Sequence, residues 1–269
     1  MSDWGLANAV SSVSRVLAAV TAVAAVALTG CATKGVPYST PSSSSSAAAA
    51  PTAASAAPTV SMTPVPAASG QLTGTQLETV LLPQSFFPAG FTLSPSSAVS
   101  SGSALSSSPP QYDLATVDCA TFVNHFGNTG FGETALASVS AAGQSQAYDQ
   151  VVYQFGSPAA AAAFVAGVES VAGRCRSFTA TSNSATGTFG LKAAPGPAVG
   201  GHPSLELTQT GVLNHAALSI DTVMSASGVD VFAGAAVGLG AAVPTGLAPA
   251  TIAYNLMKRQ AAAAVLGGS

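Results

Sequence analysis

Residues 216–239 read AALSIDTVMSASGVDVFAGAAVGL, and their period decides the class of fold. Ala216, Leu218, Ile220 and Met224 alternate with Ala217, Ser219, Asp221 and Val223. Val229, Val231, Ala233, Ala235, Val237 and Leu239 then share one parity, with small or polar residues mostly opposite. Successive strand side chains point to opposite faces, so a period of two marks half-buried strands of an antiparallel sheet. Upstream, Leu205 and Leu207 alternate with Glu206 and Thr208. Segments 133–141 and 146–155 predict a strand pair, the second rich in Val and Tyr.

Helices flank these strands. Ser157-Pro158 supplies an N-cap and a proline at the first helical position of a helix running to about Cys175. Its apolar stripe is Phe164, Val168, Val171 and Cys175. Pro249 starts a last helix through Ile252, Leu256 and Met257 to about Leu266, with Lys258 and Arg259 expected in solvent. Thr75-x-x-Glu78 fits a capping box for a short helix carrying Leu77, Leu81 and Leu82 and ended by Pro83. Phe86, Phe87 and Phe91, with Pro88 and Gly90, form an apolar loop expected to pack on the core. The Ser/Pro-rich stretch 94–110 predicts a long loop. The whole reads as one α+β domain over 74–269, a twisted antiparallel sheet packed with helices.

Composition narrows the function. Charged residues are 6% of the chain, against about 25% in an ordinary globular protein. The net charge of −3 comes without a basic cluster, which excludes nucleic acid as a partner and the polybasic route to a membrane surface. Mean hydropathy is +0.46, yet no run of about 20 strongly apolar residues follows the N-terminus.

The N-terminal segment reads as an export signal over 1–30. Arg15 precedes an apolar run, 16–28, that ends in Leu28-Thr29-Gly30-Cys31. This looks like a bacterial lipobox, in which the Cys31 thiol takes diacylglycerol and its new amino group a further acyl chain such as palmitate. Two or more chains anchor stably where one is marginal. Residues 31–73 carry a serine run, an alanine run and repeated Pro, with Lys34 the only charge before the domain. Such a segment buries too little apolar surface to offset its ordering entropy, so a disordered tether is expected. The protein is therefore expected on the outer, extracytoplasmic face of the cell membrane.

With Cys31 lipidated, Cys119 and Cys175 remain, and an even pair in an exported chain favours a disulfide. The alternatives are two separate thiols or a metal site, which two cysteines without neighbouring histidines do not complete. No nucleophile elbow, zincin, P-loop or S-x-x-K motif is present in the sequence. His125, His202 and His215 have no ligand spacing, and His125 beside Phe122 and Phe126 reads as a packing residue. Glu133 and Asp149 fall on predicted strands, facing one another or simply solvated. Asp118 reads as a cap or as part of a cleft rim. Arg174 and Arg176, flanking Cys175, read as partners of the helix dipole or as a clamp for an anionic ligand. Asp118, Arg174 and Arg176 are thus the ligand-cleft candidates, and no cofactor, metal or catalytic group is implied.

The order of export signal, linker, Leu-Leu-Pro helix, Asp118-Cys119, Tyr153-Gln154-Phe155, an Ala-rich helix ending in Arg174-Cys175, and a final strand plus helix resembles a known family. It is similar to the PknH-like extracellular sensor domain, which occurs on actinobacterial receptor-like kinases and in stand-alone lipoproteins. The resemblance implies helices packed on a twisted antiparallel sheet with a cleft for a ligand. Family members typically carry two disulfides; Cys119 and Cys175 match the first, and the second has no counterpart here. Three function classes follow. The first is a non-catalytic, lipid-anchored sensor that binds a small-molecule or envelope ligand. The second is a carrier of a lipid or other apolar envelope molecule, and the third an envelope hydrolase.

The anchor reading makes one prediction. Cys31→Ser should release the protein from membranes or leave its precursor uncleaved; unchanged metabolic labelling with radioactive palmitate would refute the lipobox.

Overall fold

Gly234 lies at the centre of the sheet, where a Cβ would stand 2.3 Å from the Pro249 carbonyl oxygen and 2.6 Å from Ile252 Cβ. Only glycine admits a helix start this close to a strand. The computed structural model describes residues 62–67, 71–100, 112–182, 185–213, 215–240 and 243–267. The export signal, Cys31 and most of the tether therefore lie outside the described residues.

Nine strands form one antiparallel sheet: β1 (Thr92–Leu93), β2 (Ser97–Ser100), β3 (Ala135–Ala142), β4 (Gln146–Gln154), β5 (Phe178–Ser182), β6 (Ala185–Pro195), β7 (Ser204–Leu213), β8 (Ala216–Ser227) and β9 (Asp230–Leu239). The order is β1-β3-β4-β9-β8-β7-β6-β5, with β2 also paired to β3. Among the described residues four α-helices flank it: α1 (Gly74–Glu78), α2 (Cys119–His125), α3 (Pro158–Arg174) and α4 (Pro249–Gly267). Among the described residues no helix is long and apolar enough to cross a membrane. The α+β expectation is met.

Two apolar layers lie on the two faces of the sheet. Phe122, Phe164, Val168 and Val171 of α2 and α3 pack on Val151, Tyr153, Leu207, Met224 and Val231. On the other face, Leu77 of α1 and Ile252, Leu256 and Met257 of α4 pack on Val139, Val152, Phe232 and Ala236. Strand β9 is consequently buried on both faces except at its end. The expected half-buried strand is corrected: its smallness, Ala233-Gly234-Ala235-Ala236, reflects cover from two sides.

Local chemistry explains the ends. The Ser157 side chain accepts from the Ala160 N–H at 3.1 Å and Pro158 opens α3, as expected. The first helix starts two residues earlier than its sequence suggests. Thr73, not Thr75, is the N-cap, and its capping-box partner is Gln76, not Glu78. Thr75 and Glu78 match the motif in spacing, but Thr73 with Gln76 matches it equally and lets Leu77 be buried. Strand β2 occupies part of the predicted 94–110 loop, because β3 offers an unpaired edge that backbone hydrogen bonds satisfy whatever the side chains. The β5–β6 hairpin has no counterpart in the sequence reading.

Three further points concern contacts. Lys258 and Arg259 are exposed, as expected, and Arg259 also bonds: its Nε and Nη2 donate to the Val80 and Thr79 carbonyls, both at 2.8 Å, closing the end of α1. Glu133 precedes β3, and Asp149 pairs in register with Ser140, so the two carboxylates do not face each other. Residues before 74 also touch the fold. The Val65 N–H donates to the Gly200 carbonyl at 3.0 Å, the Thr63 hydroxyl meets the Tyr254 hydroxyl at 2.8 Å, and Val65 is buried.

A disulfide joins Cys119, at the start of α2, to Cys175, at the end of α3, across 56 residues. In the chain-entropy view such a loop closure contributes about 4 kcal/mol.

Asp230 is fully buried where β9 meets α4. Its Oδ1 accepts from Gln154 Nε2 at 3.0 Å and its Oδ2 from Gln260 Nε2 at 2.6 Å, without a cation. Burial pushes its carboxyl up to about 6, against the pull of the two amides. Folded protein therefore holds this proton between about pH 4 and 6 while unfolded chain has lost it. The resulting stability, up to about 3 kcal/mol, is present at low pH and lost as pH rises through 6. Gln260 Oε1 is buried without a partner, so a flipped amide can accept from the protonated acid. Asp230→Asn, read by urea titration from pH 4 to 8, should exceed wild type in stability at pH 7.5 and lose this pH-dependent component. A wild-type difference unchanged across that range would contradict the assignment.

Candidate functional site

A cleft opens on the α2/α3 side of the sheet where α3 stops covering the strands. Its floor comes from β4, β9, β8 and β7, and its wall from the end of α2 and the following turn: Val123, Phe126 and Gly127. Its volume is about 50 Å³.

The wall is held by its own hydrogen bonds. Asp118 caps α2, its Oδ1 accepting from the Thr121 N–H at 2.9 Å, which also holds the Asp118 carboxyl below its ordinary range. Gly127, with φ of 90°, turns the chain out of the helix, and its N–H donates to the Tyr153 hydroxyl at 2.9 Å. Glu133 ties down the rest of the turn by accepting from the Gly130 and Phe131 N–H groups at 2.7 and 2.9 Å. Burial raises the Glu133 carboxyl despite those two bonds. Burial, and then the Glu133 charge, raise the Tyr153 phenol, which stays protonated.

The floor is apolar with polar groups at its margins. Val151, Ile220, Ala233 and Ala235 supply its middle. At the β4 margin stands Asp149, half-buried, its Oδ1 accepting from the Ser140 hydroxyl. At the β7 margin stands Gln209, 8% exposed, whose Nε2 is buried without a hydrogen-bond partner. Thr222 lies between them, in register with Ala235, which is itself in register with Asp149. Asp149 is the one charged residue among the described residues lining the cleft.

The residues expected to form a ligand cleft are elsewhere. Asp118, Arg174 and Arg176 do not line it. Arg174 Nη2 donates to the Leu114 and Val117 carbonyls at 2.9 and 3.3 Å, and Nη1 to Ser170 Oγ at 3.2 Å, so it staples the chain before α2 onto α3. Arg176 is exposed beyond the disulfide. The signal for the lining of this cleft is parity: Gln209 continues Leu205 and Leu207 inward, and Thr222 sits between Ile220 and Met224. A polar residue at an inward position marks either a satisfied pair or an opening.

The histidines do not assemble a base. The His125 Nε2 meets the Tyr112 hydroxyl at 3.0 Å, with ring centroids 4.5 Å apart, and burial lowers its pKa. The His202 Nε2 faces both Ser227 Oγ, at 3.2 Å, and the Val65 carbonyl, at 3.1 Å. A carbonyl only accepts, so Nε2 carries the proton and cannot take one from Ser227. His215 sits in the β7–β8 turn with φ of 66°. Among the described residues no group of three or more His, Cys, Asp or Glu side chains is placed to hold a metal.

No family model matches the chain, and no curated protein matches it. Among solved structures, the extracellular domain of PknH from Mycobacterium tuberculosis aligns at 15% identity and a TM-score of 0.49, over 70% of this chain and 96% of that one. An uncharacterised protein from Mycobacterium smegmatis, the Rv0999 ortholog, aligns at 12% identity and a TM-score of 0.37, over 70% of this chain and 95% of that one.

A buried donor without an acceptor costs about 1–3 kcal/mol. Gln209→Leu keeps most of the volume and removes that donor, so it should raise folding stability by about 1 kcal/mol, or roughly 2–4 °C in Tm. A loss of similar size in a calorimetric scan would show that the amide is satisfied after all.

Proposed function

We propose that the chain is a lipid-anchored, extracytoplasmic module that binds a small ligand as a sensor does, without catalysis. The observation that carries this reading is the cleft itself. It joins an apolar floor to a few polar groups, one of them a buried amide kept without a partner, the composition of a binding site. The disulfide supports an oxidising compartment. The Leu28–Cys31 motif supports attachment through Cys31, with the chain up to about Thr63 as spacer and the remainder as the binding domain.

Size separates this reading from the carrier. A drug-sized or acyl ligand needs about 300–1,000 Å³, whereas the cleft holds about 50 Å³. A larger hollow of about 470 Å³ beside α4 is open to solvent and includes Ser85, Asn255, Lys258 and Arg259 in its lining, which does not suit an apolar cargo. A hydrolase needs a nucleophile, a base and an orienting group in contact, and the protonated Nε2 of His202 argues against its Ser227 pair.

Native mass spectrometry of protein purified from its own envelope tests the proposal. Wild type should carry a small adduct that is released on unfolding, and Ala235→Phe, which fills the cleft floor, should carry none. An adduct retained by Ala235→Phe would move the site elsewhere. A hydrolytic rate lost in Ser227→Ala would replace the binding function with a catalytic one.

A further inference from the structure

Lys258 and Arg259 are the only adjacent cations in the sequence, and both are exposed and line one hollow of about 470 Å³ beside α4. Leu82, Phe86 and Ala262 give it an apolar side and Asn255 a polar one, and no acid is among the described residues lining it. Arg259 is fixed in direction by the Val80 and Thr79 carbonyls, which take one N–H each from Nε and Nη2. A guanidinium has further N–H donors to offer an anion. Asn255 Nδ2 donates to the Thr251 carbonyl at 2.8 Å, which leaves Oδ1 to accept. Glu78, next in sequence to Thr79, is bonded by the Ser96 hydroxyl and does not line the hollow. The result is a positive, half-apolar concavity, suited to a phosphate that carries hydroxyl groups and lies next to apolar chains.

The chain enters the fold beside this hollow. The described residues begin at Met62, the Thr63 hydroxyl meets the Tyr254 hydroxyl at 2.8 Å, and Lys258 Nζ stands 5.5 Å from the centre of the Tyr254 ring. Cys31 precedes Met62 by about 30 residues, and a tether of that length has a mean reach of about 30 Å. We propose that the hollow docks on anionic phospholipid headgroups, holding α4 toward the bilayer and the cleft away from it. The proposal rests on the lipid-anchored reading above and adds the orientation of the domain. The α4 layer and the cleft lie on opposite faces of the sheet, so a bilayer against one leaves the other open to the envelope. Each cation near an anionic surface shifts the equilibrium about fivefold. Two such charges are too few to recruit a chain from solution, in keeping with the absence of a polybasic segment. A chain already tethered meets the headgroups at about millimolar effective concentration, and there the same two charges suffice to orient it.

The test uses the protein purified from its own membrane, methyl-labelled and placed in nanodiscs that carry a gadolinium-chelating lipid. One set of discs is phosphatidylcholine, the other phosphatidylcholine with phosphatidylglycerol. With phosphatidylglycerol, the Leu82 and Ala262 methyl signals should broaden several-fold more than those of Val151 and Ile220 in the cleft. With phosphatidylcholine alone, the four should broaden alike. Lys258→Gln should reduce the contrast about fivefold and Lys258→Arg should keep it; Arg259, which also closes α1, is left in place. Salt at about 1 M should abolish the contrast, because the screening length falls to about 3 Å. A contrast that is absent with phosphatidylglycerol, reversed in sign, or unchanged by Lys258→Gln would overturn the docking surface. Protein that co-elutes with both discs and shows no contrast keeps its anchor and loses the docking surface alone. Protein that co-elutes with neither loses the anchor and the inference together. Free glycerol 1-phosphate added to the phosphatidylcholine discs should barely shift Leu82 and Ala262; saturable shifts lost in Lys258→Gln would assign the hollow to a soluble phosphate and overturn the lipid partner.

Discussion

The close approach of the Pro249–Ile252 start of α4 to Gly234 of β9 is the contact the rest of the structure depends on. With any side chain at 234, the helix would have to lift off the sheet, and Ile252, Leu256 and Met257 would lose their seat on Phe232 and Ala236. Seating α4 there brings Arg259 to the carbonyls of α1 and Gln260 to Asp230. The last helix thus holds the first in place. The opposite parity of the same strand, Ala233 and Ala235, lines the cleft. One stretch of small residues therefore permits contact on one face and leaves space on the other.

That space persists because the helices above it are held apart from it. The disulfide joins the start of α2 to the end of α3, and Arg174 bonds the preceding chain to α3. Gly127, anchored to Tyr153, then turns α2 away at the cleft wall. A well-packed interior closes over voids wherever side chains can move; here covalent and hydrogen-bonded restraints oppose such closure.

A chain with so few charges satisfies its buried backbone largely with amides. Gln150 bonds both the N–H and the carbonyl of Leu82, and Gln154 accepts from the Leu72 N–H while donating to Asp230. An amide carries both donor and acceptor at no charge-burial cost, so one side chain can replace a lost ladder partner. Against that background two buried amides among the described residues are incomplete: Gln260, at its Oε1, while its Nε2 bonds Asp230, and Gln209, at its Nε2, which lines the cleft.

Periodicity alone determined the strands of 205–239, the two long helices and the α+β class, because burial of one face imposes a period that the chain displays locally. Cysteine number pointed to the Cys119–Cys175 bridge. Tertiary structure decided what depends on partners distant in sequence. Strand β2 exists because the edge of β3 needed a neighbour, and β9 is buried twice because α4 returns to it from the C-terminal end. Arg259 is bonded because the end of α1 presents its carbonyls some 180 residues upstream. The site was the least legible part. Asp118 and Arg174, prominent by their charge, serve capping and stapling, whereas Gln209 and Thr222 looked like ordinary strand residues. Their place in the cleft comes from how the elements above the sheet are set, a relation that no single stretch of sequence encodes.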